Sequence, residues 1–504
     1  MDLHVSLGGP GDLAFRIHRQ LRDAILDGRL RPGERLPSTR ELARRLDVAR
    51  NTVCVAYERL TAEGFLVARV GAGTFVGAPP VARAGPRTAP PGHDVRPRPF
   101  WDSVAPGLPA GTPPVHDFRI GRPDGELFPL ATWRRLVAGE LRASTVGSAG
   151  YGDSAGHEGL REAVARHVGI SRSVRARAED VLVTQGAQQA LDLVGRILIE
   201  PGDCVAVEEP GYPPARALFG SFGARVAGVP VDEEGLDVSA LPDAARLVYV
   251  TPSHQFPLGT PMSPTRRAAL LEWASRRGAV IVEDDYDSEF RFCDRPLEPL
   301  QSLDRDGRVV YVGTFSKTLL PMLRLGFLVA PASLQPALRA ARRLTDWHGD
   351  HVAQAALARF IDSGELSRHV RRATRVYAAR RERVLTTLRD DLADWLDPVP
   401  SVAGLHLCAL FRPDVSVDLD RARELGVAVE SLAAYRADDA TPSGLVIGYG
   451  AVRAEQVADG LRLLARCFES RGGGSAASLR REPVREGPAA LKAAPRRPRR
   501  PDRA

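Results

Sequence analysis

The chain has 504 residues, of which 44% are hydrophobic and 26% charged, with a formal net charge of +7. It is too long for one ordinary domain, has no apolar run long enough to cross a bilayer and opens without the charged and then apolar order of a signal peptide, so no membrane association is expected and the cytoplasm is the expected compartment. The five cysteines, Cys54, Cys204, Cys293, Cys408 and Cys467, form no C-x-x-C pair, which argues against zinc and a disulfide framework and leaves them as small buried thiols.

In chain order, the first predicted element is an amphipathic helix over about 13–26, with Ile17, Leu21, Ile25 and Leu26 on one stripe. Gly28, Pro32 and Gly33 break it. Ser38-Thr39-Arg40-Glu41 reads as a capping box that starts a second helix, with Leu42 and Leu46 as its apolar side. A third helix begins near Ala49, turns Val53, Tyr57 and Leu60 inward, and ends at Gly64. Two short strands follow, 65–69 and 74–76, joined by Val70-Gly71-Ala72-Gly73. Two short helices joined by a tight turn and followed by a β-wing suit a DNA major groove. The third helix presents Arg50 for a guanine edge, Asn51 for an adenine edge or phosphate, and Thr52 for phosphate. Arg40 on the preceding helix and Gly71 in the wing complete the DNA-facing set. Charge agrees: residues 1–80 hold twelve arginines against nine acids, and residues 471–504 hold ten basic against three acidic residues. The runs Leu36-Pro37-Ser38-Thr39-Arg40-Glu41-Leu42-Ala43, Arg50-Asn51-Thr52-Val53 and Gly71-x-Gly73-Thr74-x-Val76 resemble the GntR-type winged helix, with its spacings intact.

Residues 77–114 are rich in proline and glycine without an apolar period, as in a semi-extended linker. From 116 to 468, helices and strands alternate, and 181–183, 204–207, 247–250, 280–282, 309–312 and 326–329 read as short buried parallel strands. The expected divisions are a DNA-binding domain over 1–78, a linker over 79–115, an effector domain over 116–468 and a basic, disordered tail over 469–504.

Only two of the 69 basic residues are lysines, Lys317 and Lys492. Arginine replaces lysine for charge, but not where a neutral amine must attack a carbonyl. Lys492 falls in the tail, so Lys317 is the candidate for amine chemistry. It stands in Gly313-Thr314-Phe315-Ser316-Lys317 at a strand end, where α/β sheets bind ligands, with Arg324 seven residues on. Asp284 ends another strand, in Val282-Glu283-Asp284-Asp285-Tyr286. Gly186-Ala187-Gln188-Gln189 opens a helix after a third, with free backbone N–H groups that suit phosphate. Tyr212 lies in Glu209-Pro210-Gly211-Tyr212.

These groups match the needs of pyridoxal 5′-phosphate: an amine for the Schiff base (Lys317), a carboxylate for the pyridine nitrogen (Asp284), phosphate donors (Gly186, Ala187, Gln188, Thr314, Arg324) and an aromatic face (Tyr212). Tyr286 suits the ring's phenolic oxygen. Singly each is an ordinary turn, acidic loop or core residue. Together, in this order, they resemble a fold-type I aminotransferase over about 116–468. Tyr151-Gly152-Asp153-x-x-Gly156 extends the resemblance, which implies that Tyr151 reaches the partner subunit's phosphate.

The expected fold class is therefore multidomain: an N-terminal winged helix-turn-helix (α+β) and an α/β fold-type I aminotransferase-like domain. The combination resembles the MocR/GabR family of regulators, also through Thr251-Pro252-Ser253-His254-Gln255-Phe256-Pro257-x-Gly259-Thr260. The resemblance implies a double-stranded DNA operator, pyridoxal phosphate as cofactor, no metal, a small-molecule effector and a homodimer whose heads are joined crosswise to the partner's large domain. Three positions depart from the enzymes or from the GABA-responsive regulator: the arginine that clamps the substrate carboxylate aligns with Val446, a second arginine with Pro214, and the asparagine of the Asn-Pro-x-Gly loop with Phe256. An isopropyl group cannot make a bidentate clamp. The expectation is a sensor, not a turnover enzyme, with pyridoxal phosphate itself or an amino compound held by Arg216 or Arg453 as effector. The alternative is a working aminotransferase with a fused DNA-binding module.

Overall fold

The apolar stripe of the first predicted helix forms α1 (Leu13–Leu26), capped by Asp12, whose carboxylate accepts from the Phe15 N–H. The computed structural model describes residues 12–77, 95–104, 114–142, 150–292, 297–437 and 442–470. Cys293, Lys492, most of the expected linker and the tail beyond residue 470 lie outside the described residues. The chain divides into two compact units, one ending at Ser103 and the other beginning at Val104.

In the first unit, Ile17, Leu21 and Ile25 of α1 are buried. Leu26 is not: it is 42% exposed, because one residue past Ile25 turns the side chain about 100° around the helix, off the buried stripe. Ser38 caps α2 (Thr39–Leu46) by accepting from the Glu41 N–H at 3.2 Å. The reciprocal half of the expected capping box is replaced by an ion pair from Glu41 to Arg45, one turn on. Next come α3 (Arg50–Ala62), β1 (Leu66–Arg69) and β2 (Gly73–Val76), the strands pairing antiparallel with Leu66 opposite Val76. Leu21, Leu42, Val53, Leu60, Leu66 and Val76 make one core. The Tyr57 hydroxyl ties α3 to the turn before α2 by donating to the Pro37 carbonyl at 2.9 Å. Pro99–Ser103 form a short 3-10 turn in the stretch expected to be irregular.

The second unit begins with β3 (His116–Asp117), α4 (Leu130–Glu140) and α5 (Glu158–Arg172). The main sheet is built from β4 (Val181–Thr184), β5 (Cys204–Glu209), β6 (Arg225–Asp232), β7 (Gly235–Leu236), β8 (Ala245–Val250), β9 (Val280–Asp285), β10 (Val309–Thr314) and β11 (Gly326–Val329). Their spatial order is β4-β11-β10-β9-β8-β5-β6-β7. Helices α6 (Ala187–Leu198), α7 (Pro213–Ser221), α8 (Pro264–Arg277) and α9 (Leu300–Leu303) connect them. Strands β10, β9, β8, β5 and β6 run parallel. The sheet is mixed, however: β11 lies antiparallel to both β4 and β10, against the expectation of parallel strands throughout. The 315–325 connection holds only a 3-10 turn at Pro321–Leu323, and a parallel return needs a crossover element. Strand β6 lacked a signal because only Val229 is buried, while its other residues are exposed or half-buried.

After α10 (Gln335–Thr345), α11 (His351–Asp362) and the long α12 (Glu365–Asp391), a second sheet forms. Its strands are β12 (Leu396–Pro398), β13 (His406–Phe411), β16 (Glu430–Ser431) and β17 (Gly444–Gly448), with β14 (Val415–Val417), α13 (Leu419–Glu424) and β15 (Val427–Ala428) between β13 and β16. The order is β12-β13-β17-β16, and Leu388, Leu407, Ile447 and Leu461 join it to α12 and α14 (Ala454–Ala465) in one core. β18 (Phe468–Ser470) pairs with β14. No helix among the described residues is long and apolar enough to cross a membrane.

Candidate functional site

Strands of the main sheet end at a cavity of about 200 Å³ whose walls include Lys317, Asp284, Tyr286, Tyr212, Thr314 and Arg324. Side chains of a strand alternate between faces, and β9 uses this to separate two adjacent acids. Asp284 turns to the cavity, where its Oδ2 accepts from the Tyr249 hydroxyl at 2.8 Å. Asp285 turns to the other face, where it accepts from Arg172 at 2.8 Å and from the Tyr311 hydroxyl at 2.6 Å. Burial pushes Asp284 up to about 7 despite the tyrosine bond. The same burial holds the Lys317 ammonium below its ordinary range, against the raising effect of Asp287 and Asp284. Its Nζ donates to the Gly121 carbonyl at 3.1 Å.

The phosphate candidates sit together. Gly186 caps α6 at φ +83° without a side-chain cap, so the first N–H groups of that helix stay open to an anion. Ala187 and Gln188 line the cavity beside Thr314 and Arg324. Arg324 reaches back to the Gln185 carbonyl at 2.6 Å, and a Cβ on Gly186 would meet its Nη2 at 2.9 Å. Tyr212 lines the wall and packs edge-on to Phe256 at 5.4 Å. Tyr151 is elsewhere: it is 80% exposed and rests against Trp347 at 5.0 Å.

Several cavity groups carried no sequence signal. Tyr249 looked like one more apolar strand residue. Asp287 and His406 line the cavity, and Asp287 bonds His254 Nδ1 at 3.1 Å. The Tyr286 hydroxyl donates to the His254 carbonyl at 3.0 Å. Glu208, at the end of β5, accepts from Thr251 and Gln255 behind the wall, and burial raises it to about 7. The Tyr249 signal was its register: it sits beside Val282, two residues from Asp284 and so on the same face. The histidines come from a loop and from the second sheet, and no local pattern pointed to them.

The two arginines considered as alternative carboxylate holders are not on the cavity wall. Arg216 is committed to the buried Glu209, and Arg453 pairs with Glu126 at the surface at 2.6 Å. Val446 is fully buried in an apolar cluster with Cys408, Leu432 and Tyr435, against which Phe256 packs.

In the first unit, Arg40, Arg50, Asn51 and Gly71 are exposed and Thr52 is half-buried. Helix α3 has neither a side-chain cap nor an acidic residue in its first turn, so its positive end is open. Arg50 Nε lies 3.4 Å from Thr39 Oγ1 at the start of α2. Gly71 holds the wing turn at φ +74°.

Two buried acceptors at the cavity, Asp284 Oδ1 and Gln188 Oε1, have no hydrogen-bond partner. A protonated ring nitrogen fits the first, and the amine, carboxylate and guanidinium present match a phosphorylated aldehyde cofactor. Fold and site together define a winged-helix head joined to a body of the aminotransferase fold. Residues 114–436 match the family "Aminotransferase class I and II", and residues 13–76 match "Bacterial regulatory proteins, gntR family". Similar solved structures include kynurenine aminotransferase from Pyrococcus horikoshii (29% identity, TM-score 0.64, covering 69% of this chain and 89% of that one). Another is the α-aminoadipate aminotransferase of Thermus thermophilus (31%, TM-score 0.63, 69% and 90%). Among curated relatives, the probable rhizopine catabolism regulatory protein MocR of Rhizobium meliloti is 37% identical over 90% of this chain and 93% of its own length. TauR of Rhodobacter capsulatus is 39% identical over 76% and 81%. The pyridoxine biosynthesis regulator PdxR of Corynebacterium glutamicum is 32% identical over 89% and 95%. The chain belongs to this family of MocR-type helix-turn-helix transcriptional regulators with an aminotransferase class I and II domain. It is a DNA-binding regulator, and its cofactor is pyridoxal phosphate.

Proposed function

We propose that the large unit senses a small molecule through pyridoxal phosphate held on Lys317 and passes the outcome to the DNA-binding head. The observation that carries this is Lys317 Nζ in one cavity with Asp284, whose buried Oδ1 lacks a partner. When bound, the cofactor supplies an aldehyde carbon that condenses with primary amines. The residues around it divide the work. Lys317, its proton affinity lowered by burial, is the covalent anchor. Asp284 holds a proton on the ring nitrogen, and Tyr249 orients that carboxylate. Tyr286 would meet the ring's phenolic oxygen, and Tyr212 would offer its aromatic face to the ring. Gly186, Ala187, Gln188, Thr314 and Arg324 hold the phosphate. Tyr151, exposed in one chain, serves the phosphate of a partner copy in a homodimer. Arg50, Asn51 and Thr52 enter the major groove, while Arg40 and the wing at Gly71 touch the backbone. The domain limits of 1–78 for the head and 116–468 for the body accord with this division. The effector is an amino compound or the cofactor itself; a relative named for pyridoxine biosynthesis and one named for rhizopine catabolism are consistent with each.

The test is borohydride trapping on the full chain supplied with pyridoxal phosphate, followed by peptide mapping. The label belongs on Lys317, and Lys317→Ala should lose both label and visible colour. Labelling elsewhere, or none, overturns the reading.

A further inference from the structure

Helix α3 carries an apolar side chain on the face it turns outward. Val53, Ala56, Tyr57 and Leu60 are its buried stripe. At about 100° per residue, Val55 lies about 150° around the helix from the centre of that stripe, and it is 45% exposed. A lone exposed valine is ordinary on a protein surface; the neighbours of this one are not. Asn51, Val55 and Glu58 are all exposed and, spaced i, i+4 and i+7, form one row along the outward face. Arg50 stands exposed at the head of that row, its Nε 3.4 Å from Thr39 Oγ1, and the first turn holds no acid and no side-chain cap. Charge along the row therefore runs from a cation and an open helix end at the first turn to the acid Glu58 at the third. A polyanion is drawn to the first two turns and repelled by the third. Val55 is the last side chain of the row before that acid.

The chemistry of the groove narrows what an isopropyl group can meet there. It has no donor or acceptor, so against a phosphate it would displace water from charged oxygens and replace none of the lost bonds. The base edges of the major groove are donors and acceptors with one apolar exception, the C5-methyl group of thymine. Asn51 and Val55 stand about 6 Å apart along the helix axis and about 40° around it, so both fit a stretch of groove about two base steps long at roughly 3.4 Å per step.

Resting on the reading of α3 as the helix that enters the major groove, we infer that Val55 reads the methyl group of a thymine beside the base that Asn51 meets.

Sites are first selected from random duplexes by the full chain. Each thymine of the selected site is then replaced in turn by uracil, which removes the methyl and keeps every donor and acceptor. Fluorescence anisotropy should show one thymine per bound head at which affinity falls about fourfold, the value of one buried methyl, and at which the response depends on Val55. In Val55→Ala that response should vanish, while the salt dependence of binding matches the parent, since an apolar contact releases no counterion. Val55→Thr, which keeps a methyl, should retain part of it. Both variants alter an exposed position, and melting temperatures equal to the parent's verify the fold. The inference is overturned if no thymine responds to uracil, if Val55→Ala leaves every response in place, or if Val55→Ala weakens all duplexes alike. Arg50→Ala separates this from the reading beneath it. If Arg50→Ala loses affinity while Val55→Ala changes nothing, α3 stays in the groove and only Val55 leaves it; if both variants bind as the parent does, α3 is not the reading helix.

Discussion

Tyr249→Phe removes one hydroxyl from the centre of the site. Its ring packs against Phe219 at 6.2 Å, and phenylalanine keeps that contact. What disappears is the 2.8 Å bond to Asp284 Oδ2, on a carboxyl whose other oxygen already lacks a partner. A hydrogen bond to a charged group contributes about 1.5–3 kcal/mol. The loss falls on the ionised form, because the hydroxyl, with Lys317 as the lesser help, opposes the upward push of burial on Asp284. If ionised Asp284 pairs with the ring nitrogen, the same energy is lost from cofactor binding, a rise in Kd of about 10- to 150-fold. Visible titration of the full chain with pyridoxal phosphate at mildly alkaline pH reads this. Phe219→Leu serves as control, since it disturbs the packing and lowers the melting temperature without touching the carboxyl. An unchanged Kd in Tyr249→Phe, or an equal loss in Phe219→Leu, would refute the coupling of this hydroxyl to the cofactor.

Three other perturbations have defined outcomes. Gly121 sits at φ +75° with Lys317 Nζ 3.0 Å from where a Cβ would be, so Gly121→Ala adds backbone strain of about 1–2 kcal/mol and displaces the amine; borohydride trapping should slow markedly, and normal labelling would contradict it. Arg50→Ala should cost about 1–3 kcal/mol of operator affinity and relax preference at one base position; fluorescence anisotropy across salt concentrations checks this, and a salt slope reduced by about one with no relaxed position would assign Arg50 to phosphate instead. In cofactor-free protein, Asp284 keeps its proton up to about pH 7 when folded but loses it at ordinary carboxylate pH when unfolded, so its contribution to stability falls as pH rises between those limits. Asp284→Asn should therefore gain in melting temperature relative to the parent as pH rises through that window, and a flat difference would show that the carboxyl is not perturbed.

The division between what the sequence revealed and what it concealed follows the physics of each part. The DNA-binding head was readable almost element by element, because capping at Ser38, the inward Val53, Tyr57 and Leu60 of α3 and the glycine turn at Gly71 are local signals. Only Leu26 and the second half of the capping box departed from it, both at helix edges where competing contacts decide. The convergence on the cavity was readable for a related reason: Gly186, Asp284 and Lys317 each follow or end a short apolar strand, and strand ends of one sheet converge in space. The reversed direction of β11 escaped notice because apolar runs carry no sign of strand direction.

The cavity groups outside that set come together differently. His254 comes from the loop after β8, Asp287 from the turn after β9, and His406 from a strand of the second sheet more than a hundred residues further along. Such a site has no periodicity of its own; it exists only once two sheets pack. Val446 makes the point from the other direction. The missing arginine was visible in the sequence, yet its consequence depended on Phe256 closing the wall in front of it and on Arg216 and Arg453 being spent elsewhere. Catalytic cofactor groups must hold fixed positions relative to one rigid sheet, whereas the groups that choose a ligand can be drawn from any surface that reaches the cavity. Specificity in this fold is therefore expected to change without altering a single strand-end residue, and comparison of relatives at the positions of His406 and Val446 should separate their ligands better than comparison at Lys317 or Asp284.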